Sequence, residues 1–332
     1  MSAAAIRSAH ATQAPRLSIC VPCHRAEPAF LQECLASVEA AAPEDAELIL
    51  AVDAEDSLRR VGALRLSPRW RLLEPDGEAG LVSNWNRCLA TARGAHVHLL
   101  HEDDAVAPTF YAHVDDLIER FPDAALHLTA TTSSPPPPGG REQGRLLQGE
   151  DAARFLLDDV AYACGSVVIA RRAVEALGFF DGSYSFCPDE EAYLRWARHG
   201  GLVASGAPLY RSRRHVAQER FRAWRRPDFV ETYARARLRG AAAYGAALQR
   251  YAVTTTQRRV VSIALTLALE GDRAQAADVL RHALRGRAGV TGVARVLCAR
   301  LVIASRPLLR IARSRRRRLA TRRVEARRVM SA

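Results

Sequence analysis

The chain has 332 residues, 48% of them hydrophobic, which suffices for one large domain with an appendage or for two domains. All 48 basic residues are Arg, and 16 of them lie between Arg281 and Ala332 against one acid, Glu325. That segment therefore carries +15, and the first 280 residues sum to 12 minus 15, or −3. No run of 18 uncharged apolar residues occurs, since Arg295 and Arg300 interrupt the best candidate, so a transmembrane helix is not expected. Seven scattered cysteines with no secretory signal ahead of them argue against a disulfide framework and for a reduced, cytoplasmic setting.

Met1 to Pro15, rich in Ala and Ser with no apolar centre, reads as a disordered lead. Leu17 to Val21 predicts a buried strand ended by Pro22, and Pro28 to Ala41 a helix with Phe30, Leu31, Cys34, Leu35 and Val38 on one face. Glu47 to Val52 is a second strand with Asp53 at its carboxyl end, and Arg71 to Leu73 a third. Leu81 to Ala92 is a helix stopped by Gly94, and His96 to Leu100 a further strand that delivers His101-Glu102-Asp103-Asp104. This alternation implies right-handed crossovers and a mostly parallel sheet, with ligands beyond the carboxyl strand ends where Asp53 and Asp103 fall.

Ser133 to Gly140 is a Pro/Gly stretch expected as an exposed loop. A helix near Arg154 to Asp158, a strand at Gly165 to Ala170, a helix from Asp189 to Arg198 and a last strand near Leu209-Tyr210 follow. Beyond Pro227 the pattern is helical, with a pair at Arg259 to Leu269 and Arg273 to Leu284. Val290, Val293, Leu297 and Leu301 then line one face until Pro307.

Three adjacent carboxylates at 102–104 repel one another unless a cation or several donors sit among them; alone they fit either a solvated turn or a hard-oxygen metal site. Asp53 alone is equally a turn residue. Cys20 and Cys23 form a C-x-x-C, but Cys20 lies inside the strand that Pro22 ends, not at a helix N-terminus, and no second pair exists, which argues against redox or zinc chemistry. His96 and His98 read as structural. Two Asn within Asn84-Trp-Asn-Arg87 are costly in a helix interior, so a side-chain amide is expected to be used elsewhere.

Val21-Pro-Cys-His-Arg25, Asp53, Asn84-Trp-Asn-Arg87, the tetrad at 101–104, and Gly178-Phe-Phe-Asp181 before Asp189 follow one another in an order that resembles the family 2 glycosyltransferases, over about Arg16 to Gln218. The resemblance implies a GT-A fold, a Rossmann-like α/β architecture, with a GT-A domain over 16–226. An α-helical extension over 227–286 and a basic amphipathic tail over 287–332 would follow. It implies inverting transfer from a nucleotide sugar, a UDP-sugar favoured, to a glycan or lipid-linked acceptor in surface polysaccharide or glycolipid synthesis. Asp189 would be the catalytic base, its pKa raised by Glu190 and Glu191. Pro22, His24, Asp53, Asn84 and Asp104 would contact the nucleotide sugar. Asp103, His101 and, from the basic loop Arg213-Arg-His215, His215 would hold Mn²⁺ or Mg²⁺.

The chain departs from the family's pattern at three places: His101 stands at the first acid of its D-x-D motif, Ala54-Glu55-Asp56 follows Asp53, and Pro188 replaces the first acid of a pair. Glu102 takes the variable position and reads as a bystander. A nucleotidyltransferase is the competing enzyme reading, but no Gly-rich phosphate loop follows the first strand. A non-catalytic binder of membrane or anionic polymer, driven by Arg315 to Arg318, is the other. With no base-reading motif beside it, the tail is expected on an anionic membrane surface rather than nucleic acid.

Overall fold

Seven consecutive buried residues, Leu17–Cys23, form the central strand β1. The computed structural model describes residues 14–285 except 26, 63, 78, 133–142, 159–161, 185, 214 and 216–218, together with 296, 299 and 303. Leu17, Ile19, Val21 and Cys23 enter one core cluster and Cys20 the other, so both faces of β1 are covered and no polar alternation appears. The C-x-x-C thus places its thiols on opposite faces of the sheet, and neither is in a disulfide.

β2 (Glu47–Val52), β3 (Trp70–Leu73) and β4 (His96–Leu99) extend β1 into the parallel array β3-β2-β1-β4. The helix Pro28–Ala41 buries Leu31, Cys34, Leu35 and Val38 at helical spacing. Pro22 does not end β1, which runs on to Cys23. Leu100 N donates to Cys20 O, whereas Asp53 N donates to Cys23 O. Even-numbered residues of β1 therefore turn their backbone toward β4, and β4 stops at Leu99. The missing N–H of Pro22 falls beyond that end and costs no ladder bond. Gly94 is not the cap of the helix Leu81–Thr91, which ends at Ala92. Its role is close approach, since a Cβ there would lie 2.5 Å from Ser18 N.

The second half of the sheet adds β5 (Ala105–Val106), β6 (Leu126–Thr131), β7 (Arg145–Leu147), β8 (Val167–Ala170) and β9 (Leu202–Arg211). Among the described residues the order is β3-β2-β1-β4-β8-β6-β9-β5, with β7 also on β9. β8 is antiparallel to both β4 and β6, and β5 and β7 are antiparallel to β9. The other six strands run one way, so the sheet is mostly parallel. His98, at the sheet centre, is held by Tyr111 Oη (3.0 Å) and Gly165 O (2.8 Å). Burial pushes His96 and His98 down to about 4, as suits structural imidazoles.

The chain divides into two compact units, Met1–His215 with Arg239–Leu248, and Val216–Leu238 with Gln249–Ala332. Helices Phe229–Ala242, Ala246–Glu270 and Arg273–Arg285 account for the helical C-terminal part. Within the second unit Arg237 is fully buried, with Nε 2.9 Å from Thr256 Oγ1 and Nη2 3.1 Å from Thr255 Oγ1. Among the described residues no helix is long and apolar enough to cross a membrane. The lead before Ala14, the loop 133–140 and the tail 287–332, save 296, 299 and 303, lie outside the described residues.

Candidate functional site

The carboxyl ends of β1, β2 and β3 are pinned by the helix Leu81–Thr91. Asn84, 3% exposed, donates from Nδ2 to Ala51 O (3.0 Å) and Cys23 O (3.3 Å), and its Oδ1 accepts from Arg87 Nη2 (3.1 Å). Arg87 also donates to Val52 O (2.5 Å), Glu74 O (2.7 Å) and Asp76 Oδ1 (2.9 Å). Asn86 accepts from Phe180 N (3.0 Å) and donates to Phe180 O (2.9 Å). Each amide of the motif thus answers a backbone group on another element, which explains two Asn in one helix. Asn84, expected to touch the nucleotide, has both amide hydrogens committed to strand-end carbonyls and so shapes the floor of the site.

At the end of β2 the Asp53 side chain is 1% exposed, with Oδ2 2.6 Å from His24 Nδ1. Its Oδ1 is buried without a hydrogen-bond partner. A carboxylate oxygen left open inside a protein is costly unless a donor arrives. Glu102 is no bystander: Oε2 accepts from His24 N (2.9 Å) and Oε1 from Arg25 N (3.0 Å), clamping the β1 loop to the β4 loop.

The tetrad itself is divided by its partners. His101 stacks on Trp85, centroids 5.4 Å apart and planes 24° apart, and its Nε2 is buried with no partner. Asp103 Oδ2 lies 2.8 Å from His215 Nε2. Asp104, 3% exposed, accepts from Tyr210 Oη at one oxygen and from Arg213 N (2.7 Å) at the other. Burial, then the Asp103 charge, holds its carboxyl above the usual range. Arg213 also donates from Nε to Asp103 O (3.0 Å), pairs with Glu33, and lies 4.2 Å over the Phe30 ring.

One ligand atom each from His101, Asp103 and Asp104 lie within 4.8 Å of one another. The unpartnered His101 nitrogen and the paired carboxylates fit a divalent cation of mixed nitrogen and oxygen preference. His215, implied as a further ligand by the resemblance, is not one of these three; it stands behind Asp103, on the carboxylate oxygen Oδ2.

Asp189 opens the helix Pro188–Trp196. The residue before that helix, Cys187, has φ 54°, the one positive value outside glycine among the described residues. Such strain persists only where the surroundings enforce it and is often found at functional sites. Burial, and next the Glu190 charge, raises the Asp189 carboxyl from 3.8 to about 6, while the His101 charge pulls the other way. Glu191 takes no part in that shift; it is buried against Arg195 Nε at 2.9 Å. Cys164 Sγ sits 3.1 Å from Tyr193 Oη, and burial, then the Asp189 charge, pushes its thiol up. Phe180 packs on Trp85 (5.1 Å) and Trp196 (4.9 Å), joining the Asp189 helix to the pinning helix. Reading along the chain missed Glu102, Tyr210 and Cys164, because each acts through a residue at least 25 positions away.

Residues 18–178 match the model of glycosyl transferase family 2. The match covers 161 of the 332 residues, and over that stretch the chain is similar to the family 2 glycosyltransferases. It is 27% identical over 218 residues to the O-antigen biosynthesis protein RfbC of Myxococcus xanthus, covering 62% of this chain and 16% of that one. It is 31% identical over 113 residues to an uncharacterized protein of Mycobacterium tuberculosis, 34% of each chain, so it spans about a third or less of these relatives' length.

In fold it is similar to Staphylococcus aureus TarS 1-349 in complex with UDP-GlcNAc, with TM-score 0.55 and 13% identity over 80% of this chain and 89% of that one. It is also similar to the mannosyltransferase PcManGT of Pyrobaculum calidifontis in complex with GDP-Man and Mn²⁺, with TM-score 0.53 and 15% identity over 91% and 84%. The GT-A fold is thereby established.

Proposed function

We propose that the protein is an inverting glycosyltransferase that moves a sugar from a nucleoside-diphosphate sugar to a hydroxyl acceptor. One observation carries this reading: His101, Asp103 and Asp104 at the strand ends each bring a ligand atom within 4.8 Å of the others, and burial raises the carboxyl of Asp189 to about 6 beside them. Asp189 takes the acceptor proton as the hydroxyl oxygen bonds to the anomeric carbon. The bond to the diphosphate breaks on the opposite face, and no covalent enzyme intermediate is needed. His101, Asp103 and Asp104 would hold the cation, which supplies charge neutralisation for the leaving diphosphate, with His215 behind Asp103. An imidazole among the ligands favours Mn²⁺ over Mg²⁺.

Asp53 Oδ1, buried and open, suits a base with one ring N–H such as uracil, while His24 holds the other oxygen; a UDP-sugar is the favoured donor. The acceptor is a glycan or lipid-linked glycan of surface polysaccharide or glycolipid synthesis, a reading supported by the similarity to an O-antigen biosynthesis protein. The chain acts in the cytoplasm, with the Arg-rich tail in peripheral contact with anionic membrane.

Nucleoside diphosphate release from a panel of UDP- and GDP-sugars with Mn²⁺ or Mg²⁺ tests the activity. Asp189→Asn should lower transfer by roughly 10²–10⁴-fold with donor binding retained. Asp103→Asn should weaken Mn²⁺ binding measured by titration without donor. Normal turnover in Asp189→Asn, or pyrophosphate as product, overturns the proposal.

A further inference from the structure

The Gly178-Phe-Phe-Asp181 turn is held unusually hard for a surface loop. Arg195 donates to Gly178 O (2.8 Å), Phe179 O (2.8 Å) and Leu177 O; Trp196 Nε1 donates to Gly178 O (2.9 Å). Asn86 takes both backbone groups of Phe180. Gly178, at φ +87°, turns the chain so that Phe180 is buried while Phe179 points out. At 46% exposure Phe179 is the one large aromatic exposed among the described residues. A flexible loop with an exposed ring needs no explanation. A ring presented by a backbone with every carbonyl from 177 to 180 tied down is preorganised contact area.

Phe179 borders an open cleft of about 370 Å³ in the first unit, shared with Arg195, Arg198, Arg239, Asp181 and Glu191. Gly240 and Ala243 give it a small-residue wall. Its charges are unequally committed. Glu191 and Arg195 neutralise each other, and Asp181 pairs with Arg239 at 3.0 Å. Arg198 is exposed and has no side-chain partner among the described residues, which leaves the cleft net positive. Glu191, Arg195 and Arg198 share one face of the helix Pro188–Trp196 and its last turn, whereas Asp189 leaves from the other side. The cleft is therefore separate from the nucleotide and metal constellation.

We propose that this cleft binds an acidic sugar unit, a uronate or sugar phosphate, of the glycan acceptor. The Phe179 face packs on the ring's C–H groups, and Arg198, the cation left over in the cleft, takes the anion. The acceptor role rests on the glycosyltransferase reading; the binding itself does not.

The test uses the full chain without donor, titrated by calorimetry or ligand-observed NMR with glucuronate, glucose 6-phosphate and glucose as probes. Acidic probes should bind about tenfold or more tightly than glucose, a preference that Arg198→Glu abolishes and Phe179→Ala weakens by about tenfold. Equal binding of glucose and the acidic probes overturns the proposal. So does wild-type affinity in both variants, or no binding at millimolar concentration. A preference for glucose 6-phosphate over glucuronate identifies phosphate as the anion, and the reverse identifies carboxylate. UDP binding in the same samples reports on the Asp53 and Asp103 site, so failure of the transferase reading shows there and not in the saccharide titration.

Discussion

Asp189 sits in an environment that disfavours its charge, and this has two opposite consequences. As a base it must be ionised, so transfer should fall with a one-proton slope as pH drops through about 6. For stability, the folded chain holds more protons than the unfolded one between 3.8 and about 6, so stability declines as pH rises through that window and stays lower above it. Asp189→Asn removes the penalty. The rise from 3.8 to about 6 corresponds to at most about 3 kcal/mol, so the variant's melting temperature should exceed wild type at pH 7–8 by several degrees, at about 2–4 °C per kcal/mol, and should match it near pH 4. An unchanged difference at both pH values counts against the buried charge. The position of Asp189 was legible in the sequence, because the family's order places an acid at a helix start. What silences Glu191 was not, since Arg195 captures it four residues on within the fold.

The strands buried on both sides were readable as short apolar runs, and the helix Pro28–Ala41 from its spacing alone. The second half of the sheet was harder, since β5 and β7 have only two and three residues and β8 runs against its neighbours. At this scale the helix Leu81–Thr91 acts as a peg. Asn84→Ala would remove the side-chain donor shared by the carbonyls of Cys23 and Ala51, costing about 1–3 kcal/mol in urea unfolding and weakening nucleotide binding. The turn Cys164–Ser166 packs under β9 just as tightly. A Cβ on Gly165 would stand 2.3 Å from Tyr210 Oη, so Gly165→Ala should push Tyr210 off Asp104 and weaken Mn²⁺ binding about tenfold. Titration with Mn²⁺ at fixed pH measures it, and wild-type affinity refutes it.

Across the whole molecule, charge is divided between a mildly acidic body and a strongly basic C-terminal segment. If that segment contacts lipid, removing residues after 286 should cut binding to phosphatidylserine vesicles at least about tenfold, each lost Arg near the surface being worth about 1 kcal/mol. Equal binding of both forms in a sedimentation assay would refute the contact.

Glu102 has a consequence that reaches across the sheet. One carboxylate holds the His24 and Arg25 amides while its neighbour Asp103 faces the cation position, so neither loop can shift alone. Base and cation should then bind cooperatively, and thermodynamic reciprocity requires that Mn²⁺ tighten UDP by the same factor that UDP tightens Mn²⁺. Cutting the clamp with Glu102→Ala should shrink that shared factor more than either affinity measured by itself.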